Sequence, residues 1–116
     1  MAVIRIFVEK KPGYDVEAEQ MLADLRTNLL IGSLSGIRIL NRYDIEGLSQ
    51  SEFREARDTI FSEPNVDTVY DEQMPQADGF VFAVEYLPGQ YDQRADSAAQ
   101  CCQLQTQKNA PLIRCA

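Results

Sequence analysis

Apolar and polar side chains alternate along several stretches of this chain. Residues 3 to 9 have a period of two, which places Ile4, Ile6 and Val8 on one face of a predicted strand, with Arg5 and Glu9 on the other. The same period indicates three further strands and the start of a fourth, which are residues 37–45, 66–70, 80–86 and 112–116. The chain therefore contains the strands of at least one sheet.

Helical spacing separates these strands. Apolar residues at positions 18, 22, 25 and 29 predict a helix over about residues 16 to 30, with Asp15 as its candidate N-cap. Ser49 and Glu52 have the spacing of a capping box, and Leu48 and Phe53 occupy the staple positions of a second helix. Its predicted buried face is Phe53, Ala56 and Ile60, and Pro64 ends it.

A third helix is predicted from about Gln93 to Thr106. Its apolar face is narrow and consists of small side chains, which are Ala95, Ala98, Ala99 and Cys102. Smaller side chains allow a closer approach to the element beneath. Asp92 is the candidate N-cap of this helix.

Part of the chain occurs twice. The stretch Val8–Asp15 reappears as Val84–Asp92, with Gln90 inserted after the glycine, and the apolar positions on both sides also align. Two copies are too few for a solenoid, so two halves packed around a pseudo-two-fold axis are expected. Each half is a strand, a Pro-Gly turn and a helix, followed by a strand.

These elements predict one domain over residues 1–116, with halves 1–46 and 78–116 linked by a helix and strand in 47–77. The expected class is α+β, with duplicated strand–helix–strand halves resembling ferredoxin-like subdomains. The helices should lie on one face of a mostly antiparallel sheet. The last strand begins only five residues before the end, so the chain is expected to be the N-terminal fragment of a longer protein.

Charge narrows the choice of partners. Eighteen acidic and eleven basic residues give a net charge of −7, and the basic residues are scattered, so a phosphate backbone would be repelled. No apolar stretch approaches the roughly 20 residues that span a bilayer. Neither nucleic acid nor a membrane is an expected partner.

Cysteine and histidine content bears on compartment and chemistry. Three cysteines, Cys101, Cys102 and Cys115, without a secretion signal favour free thiols and the cytoplasm. Cys102 is predicted to be a small core residue and Cys101 to flank it. The chain has no histidine, which excludes Cys-His and Ser-His-Asp nucleophiles and the commonest metal ligand. We therefore expect no catalytic group, cofactor or metal in this segment.

A dense polar cluster surrounds the start of the third helix. Its members combine acids, an arginine, an amide, a tyrosine and a serine, and are Gly89, Tyr91, Asp92, Gln93, Arg94, Asp96 and Ser97. A well-capped surface helix accounts for such a cluster, because acidic residues stabilise helix starts. A docking surface is the other interpretation, because tyrosine and arginine are enriched at interfaces.

These residues also carry a family resemblance. The sequence YLPGQYDQRADSAAQC at 86–101, preceded by NRYD at 41–44 and SEP at 62–64, resembles the N-terminal region of large single-chain phosphoribosylformylglycinamidine synthase. That family comprises glutamine-dependent amidotransferases of purine biosynthesis. The resemblance covers nearly the whole chain. It implies that the chain consists of two fused copies of a small subunit, which is a separate protein in split enzymes. It also implies that the second turn is the better docking candidate, because the first copy has Glu17 at the position where the second copy has Arg94.

The resemblance implies a non-catalytic assembly domain. Its partners would be the synthetase and glutaminase domains of the same enzyme, which use ATP and Mg²⁺ and convert formylglycinamide ribonucleotide to the amidine. An alternative class is a small-molecule regulatory module, because duplicated ferredoxin-like halves can bind amino acids at their interface. A stand-alone enzyme is third, disfavoured by the absence of histidine.

Overall fold

The computed structural model describes residues 3–28, 32, 36–75, 81, 83–87 and 89–116. Within them, four strands form one antiparallel sheet in the order β3-β1-β2-β4. The strands are β1 (Ile4–Lys10), β2 (Leu40–Glu46), β3 (Asp67–Asp71) and β4 (Leu112–Cys115), and the helices are α1 (Val16–Thr27), α2 (Gln50–Ala56) and α3 (Gln93–Thr106). The α+β class and the antiparallel sheet are confirmed.

The core lies on one face of the sheet, as the alternation predicts. Ile6 and Ile45 are 0% exposed, and cross-strand pairing places Ile45 opposite Ile4 on one side and Ile113 on the other. Helices α2 and α3 cover this face, and the buried cluster is Ile4, Ile6, Val8, Tyr43, Ile45, Phe53, Ala56, Phe61, Ala95, Ala98, Cys102, Ile113 and Cys115. The opposite face carries ion pairs, among them Arg5 with Asp44 at 2.7 Å.

Helix α2 begins with the predicted capping box. The Ser49 hydroxyl accepts the Glu52 N–H at 3.2 Å, and the Glu52 carboxylate accepts the Ser49 N–H at 3.0 Å. The helix continues into a single π-helical turn, Arg57–Phe61, after which the Ser62 hydroxyl donates to the Arg57 carbonyl at 2.6 Å. The helix thus ends before Pro64, and the predicted signals at both ends are confirmed.

Helix α3 has its predicted bounds, whereas β1 is displaced by one residue from 3–9, β4 ends at Cys115, and three other boundaries also differ. Helix α1 ends at Thr27, and residues 29 and 30 lie outside the described residues. Strand β2 begins at Leu40 instead of residue 37, because its pairing with β1 ends where Glu9 faces Leu40. Arg38 precedes the paired residues of β2, and its side chain forms an ion pair with Glu9 at 2.7 Å. Strand β3 is displaced by one residue from 66–70.

The prediction of a strand over residues 80–86 is wrong for the part that the structure describes. Residues 81 and 83–87 belong to no strand, and residues 80 and 82 lie outside the described residues. Val84 is 73% exposed, and Glu85 reaches the outer sheet face to pair with Arg42 at 3.1 Å. Alternation shows which side chains could share a face, but a strand also requires a neighbouring backbone for its hydrogen bonds.

Helix α1 is the least embedded of the three helices. Ala18 is its one buried residue, and it lies outside the main cluster, while Leu22 and Leu25 are half-buried. The predicted apolar face of α1 therefore contributes little to the core in the described part of the chain. The position of its first turn matters more, because that turn borders the candidate site.

Candidate functional site

The described residues of the two Pro-Gly turns share one hydrogen bond and a positive φ. In each, the N–H of the fourth residue donates to the carbonyl oxygen of the first, at 2.9 Å between residues 14 and 11 and at 3.0 Å between residues 90 and 87. Gly13 has φ +92° and Gly89 has φ +89°. A positive φ at the third position is the requirement of a type II turn, which explains glycine at both sites.

The helix caps that follow the two turns differ. The Asp92 carboxylate accepts the Ala95 N–H at 3.0 Å, which is an ordinary N-cap bond. Asp15 stands at the N-cap position of α1 but makes no such bond, and its carboxylate instead accepts the Gly13 N–H at 3.2 Å. The N-cap prediction is therefore confirmed for Asp92, whereas the Asp15 side chain does not cap its helix.

Asp92 also connects α3 to the sheet. Its second carboxylate oxygen accepts the Cys115 N–H of β4 at 3.3 Å. Cys115 lies opposite Tyr43 on β2, so this contact places the start of α3 near the C-terminal end of β4. One side chain thus satisfies a helix N-terminus and a strand backbone group.

The remaining residues of the predicted docking cluster lie on the surface around this cap. The Tyr91 phenol donates to the Asp96 carboxylate at 3.0 Å, and Gln100 donates to the same oxygen at 2.9 Å. The hydrogen bond to Asp96 raises the pKa of the Tyr91 phenol above its ordinary value. The ring of Tyr91 is nevertheless 68% exposed, and Gly89, Gln93 and Ser97 are exposed as well. The structure therefore brings all seven predicted residues into one surface region.

Arg94 is the one cation of this cluster. Among the described residues it forms no ion pair within 4.0 Å, although it is exposed on the first turn of α3. It borders a cleft of about 460 Å³ at the end of the sheet. The cleft is lined by Val8, Lys10, Tyr14, Asp15, Glu17, Ala18, Ile39, Asn41, Tyr43, Phe61, Asp67 and Arg94.

This cleft brings the starts of both repeated helices together. Asp15 and Glu17 come from α1, and Arg94 comes from α3. If a two-fold axis normal to the sheet passed between β2 and β4, the starts of α1 and α3 would lie at opposite ends of the sheet. Both starts border the same cleft, so the described residues do not have this symmetry. Instead, equivalent positions of the two copies, Glu17 and Arg94, border one space with opposite charge.

An ion pair between an exposed lysine and a buried aspartate forms part of the cleft wall. Lys10 Nζ lies 2.9 Å from Asp67 Oδ1, and the other Asp67 oxygen accepts the Glu63 N–H at 2.8 Å. Asp67 is buried but the Lys10 side chain is 51% exposed, so this pair is only partly shielded from solvent. Sequence reasoning missed both partners. The sequence indicates this pair only through Asp67, which lies two residues before Val69 and therefore on the core-facing side of β3.

The environments of Cys101 and Cys102 are as the sequence predicts, and Cys115 is buried as well. Cys101 is exposed, whereas Cys102 and Cys115 are buried. Burial raises the pKa of the Cys102 thiol to about 11 and that of Cys115 to about 12. Because the thiolate is the reactive form, both buried cysteines should be inert.

Thiol labelling should distinguish these environments. At pH 8, we expect one thiol per chain to react rapidly with an aromatic disulfide reagent in the native protein, and three to react in denaturant. Cys101→Ser should remove the fast reaction. Two or more fast thiols in the native chain would show that β4 or the buried face of α3 is not packed as described.

Alkaline pH should destabilise the fold. Burial raises the pKa of Tyr43 to about 12, and those of Cys102 and Cys115 to about 11 and about 12. A group whose pKa is higher in the folded than in the unfolded protein stabilises the fold fully at pH values below its unfolded-state pKa, which is near 9 for thiols and 10 for tyrosine. That stability is lost as the pH rises through the folded-state pKa. The urea midpoint should therefore fall between about pH 9 and 12. A midpoint that stays constant over that range would contradict the burial of these three groups.

The described residues contain no cluster of three or more His, Cys, Asp or Glu side chains suited to a metal ion. None of the helices in this part of the chain has the length and apolar character needed to cross a membrane. Comparisons with protein-family models, curated proteins and solved structures gave no match to this chain. The geometry around Asp92 and Arg94 and the sequence resemblance are thus the basis for a functional proposal.

Proposed function

We propose that this chain is the N-terminal assembly domain of a glutamine-dependent phosphoribosylformylglycinamidine synthase. It contributes no catalytic group and packs against the synthetase and glutaminase domains of its cytoplasmic parent enzyme. The parent converts formylglycinamide ribonucleotide to the amidine, with ATP and Mg²⁺ bound outside this segment. The domain helps to hold the two active sites together, so that ammonia passes between them.

One observation carries this proposal most directly. Arg94 is exposed, forms no ion pair with any described residue, and lies on a helix whose first turn is anchored to β4 through Asp92. An arginine on a rigid element can bind a carboxylate in a bidentate manner. The longest motif of the family resemblance, residues 86–101, includes this turn.

We also propose that the fold arose by duplication of a unit resembling a ferredoxin-like half. The two Pro-Gly turns support this, because they agree in hydrogen bonding and in the φ of Gly13 and Gly89. Each turn precedes a helix and then a strand, and those two strands, β2 and β4, are adjacent in the sheet. The first strand of the second unit lacks this support.

Arg94→Glu in the parent enzyme tests the docking role. In the isolated domain the change should alter the free energy of unfolding by no more than about 0.5 kcal/mol, because the site is exposed and an acidic residue suits a helix start. In the parent, reversing a paired interface charge should cost about 2 kcal/mol or more in domain association. The ratio of glutamate released to amidine formed should therefore rise.

The matched control is Arg54→Glu, because Arg54 is an exposed arginine on α2 that forms no ion pair within the described part of the chain. This control should leave both the ratio and the affinity between domains unchanged. If Arg94→Glu behaves like the control in both measurements, the turn is an ordinary helix cap and the docking role is wrong.

A further inference from the structure

An exposed segment of the chain has the composition of a pairing strand. The sequence FVFAVEY at residues 80–86 combines β-branched and aromatic side chains with one charge and no proline, which is typical of segments that pair edge to edge. Its described apolar side chains are open to solvent, because Val81 is 57% exposed, Val84 73% and Tyr86 56%. None of residues 83–86 forms a backbone hydrogen bond with another described residue. A strand partner would satisfy this backbone and cover these side chains.

The outer edge of β4 is the complementary surface. This strand ends the sheet order, and no described strand lies beyond it. Arg42 and Ala116 exchange hydrogen bonds at 2.9 and 3.0 Å, so in the antiparallel ladder Ile113 and Cys115 turn their backbone groups to the other side. The Cys115 N–H donates to Asp92 at 3.3 Å. The Ile113 N–H and C=O and the Cys115 C=O have no hydrogen-bond partner among the described residues.

One antiparallel register matches the segment to this edge in charge and polarity. If Glu85 faces Arg114, Leu87 faces Leu112 on the same side of the sheet. Arg114 is exposed and forms no ion pair with a described residue. Leu87 and Leu112 are 68% and 57% exposed, so pairing would bury apolar area on both. A slip of one residue would turn Glu85 toward the core side, and a slip of two would separate it from Arg114.

Within one chain, residues 83–87 are held at the C-terminal end of β4. Glu85 pairs with Arg42, which lies opposite Ala116, and the turn after residue 87 leads to α3, whose first turn is bonded to the same end of β4. In the matching register the segment runs away from this end, so that residue 87 lies beside Leu112. A second copy can supply the segment in that direction, and two copies can exchange segments around a two-fold axis.

We propose that residues 83–87 of one copy of this chain pair antiparallel with β4 of a second copy, and that the exchange is reciprocal. The added strand bonds to both backbone groups of Ile113 and to the Cys115 carbonyl, which leaves the Asp92 contact in place. The Glu85–Arg42 pair is given up, but it is a surface pair with Glu85 63% exposed, and such pairs contribute little to stability. The dimer does not depend on the assembly role proposed above.

Cysteine cross-linking tests the register. Residues 87 and 112 would form a non-hydrogen-bonded pair, whose Cα atoms lie about 4.5 Å apart, within disulfide range. Leu87→Cys and Leu112→Cys are made in separate chains of different length, each with Cys101→Ser to remove the exposed thiol. Mild oxidation of the mixture should give a covalent dimer with one chain of each length. Leu104→Cys mixed with Leu112→Cys is the control and should give none, because residue 104 lies on α3, outside the register.

Sedimentation equilibrium measures the dimer itself. The 116-residue chain should dimerise reversibly, and Arg114→Glu should weaken the dimer about tenfold because it places two acids opposite each other. Adding Glu85→Arg to Arg114→Glu should restore most of the affinity, because the opposite charges are again paired. Arg54→Glu, on α2 and outside the register, should leave the dimer unchanged.

Three results would overturn the proposal. One is a chain that stays monomeric up to about 1 mM, which is weaker than a millimolar dimer. Another is a dimer that neither cross-links between residues 87 and 112 nor responds to Arg114→Glu. The third is a chain with Leu87→Cys and Leu112→Cys together that forms the disulfide only within itself, which would show that its own segment covers β4. None of these bears on the assembly role, because that role is judged by the product ratio of the parent enzyme.

Discussion

Replacing Ile45 by alanine should lower the free energy of unfolding by about 3 kcal/mol, which is the middle of the range for truncating a buried isoleucine. Ile45 is 0% exposed and lies on β2 between Ile4 of β1 and Ile113 of β4. Its side chain therefore contacts the cluster where three strands meet. Because domains of this size have only about 5–15 kcal/mol of stability, such a loss is a large fraction of the total.

Urea unfolding of Ile45→Ala, Ile45→Val and Leu104→Ala measures this effect. The valine variant should lose about 1 kcal/mol, because it removes a single methylene. Leu104 is 80% exposed on α3, so its truncation should change stability by no more than about 0.5 kcal/mol. If Ile45→Ala and Leu104→Ala unfold at the same urea concentration, the face containing Ile45 is not the core.

Local signals in the sequence predicted local structure well. The capping box at Ser49 and Glu52 and the helix from Gln93 to Thr106 form as expected, because their hydrogen bonds join residues three or four positions apart. Positive φ at Gly13 and Gly89 likewise follows from turn chemistry within four residues. In these cases the sequence contains all the interacting partners.

Predictions that depended on distant partners were less successful. Val84 belongs to an alternating stretch, yet no described strand lies beside it, and Glu85 pairs with Arg42 instead. The cleft was also missed, because it brings together Glu17, Asp67 and Arg94 from three separate regions of the chain. Sequence periodicity identifies a face that can be buried, but it does not identify what covers that face.

The docking cluster contains one contact that the local sequence predicts and one that depends on a distant residue. Asp92 was predicted as a cap from its position before the helix, and its bond to Ala95 confirms this. Its second bond, to Cys115, joins residues 23 positions apart and was not predictable from spacing. The lack of an ion pair between Arg94 and the described acidic residues is likewise a tertiary property, since it depends on which side chains the fold brings near.

Asp92→Ala should destabilise the isolated domain by about 2 kcal/mol, whereas Asp15→Ala should cost no more than about 0.5 kcal/mol. Loss of the Ala95 cap bond accounts for about 1 kcal/mol, and loss of the Cys115 contact accounts for a similar amount. Asp15 makes neither kind of contact and accepts only the Gly13 N–H within its own turn. The second turn also contains the inserted Gln90, whose side-chain oxygen accepts the Leu87 N–H at 2.6 Å.

Asp92→Asn refines this comparison. Asparagine is also a good N-cap but has one acceptor oxygen, so it can replace the bond to Ala95 or the bond to Cys115, but not both. Its urea midpoint should therefore lie between those of the wild type and Asp92→Ala. Equal losses for Asp92→Ala and Asp15→Ala would mean that both aspartates act only through their charge at a helix N-terminus, and the rigid support proposed for Arg94 would then be absent.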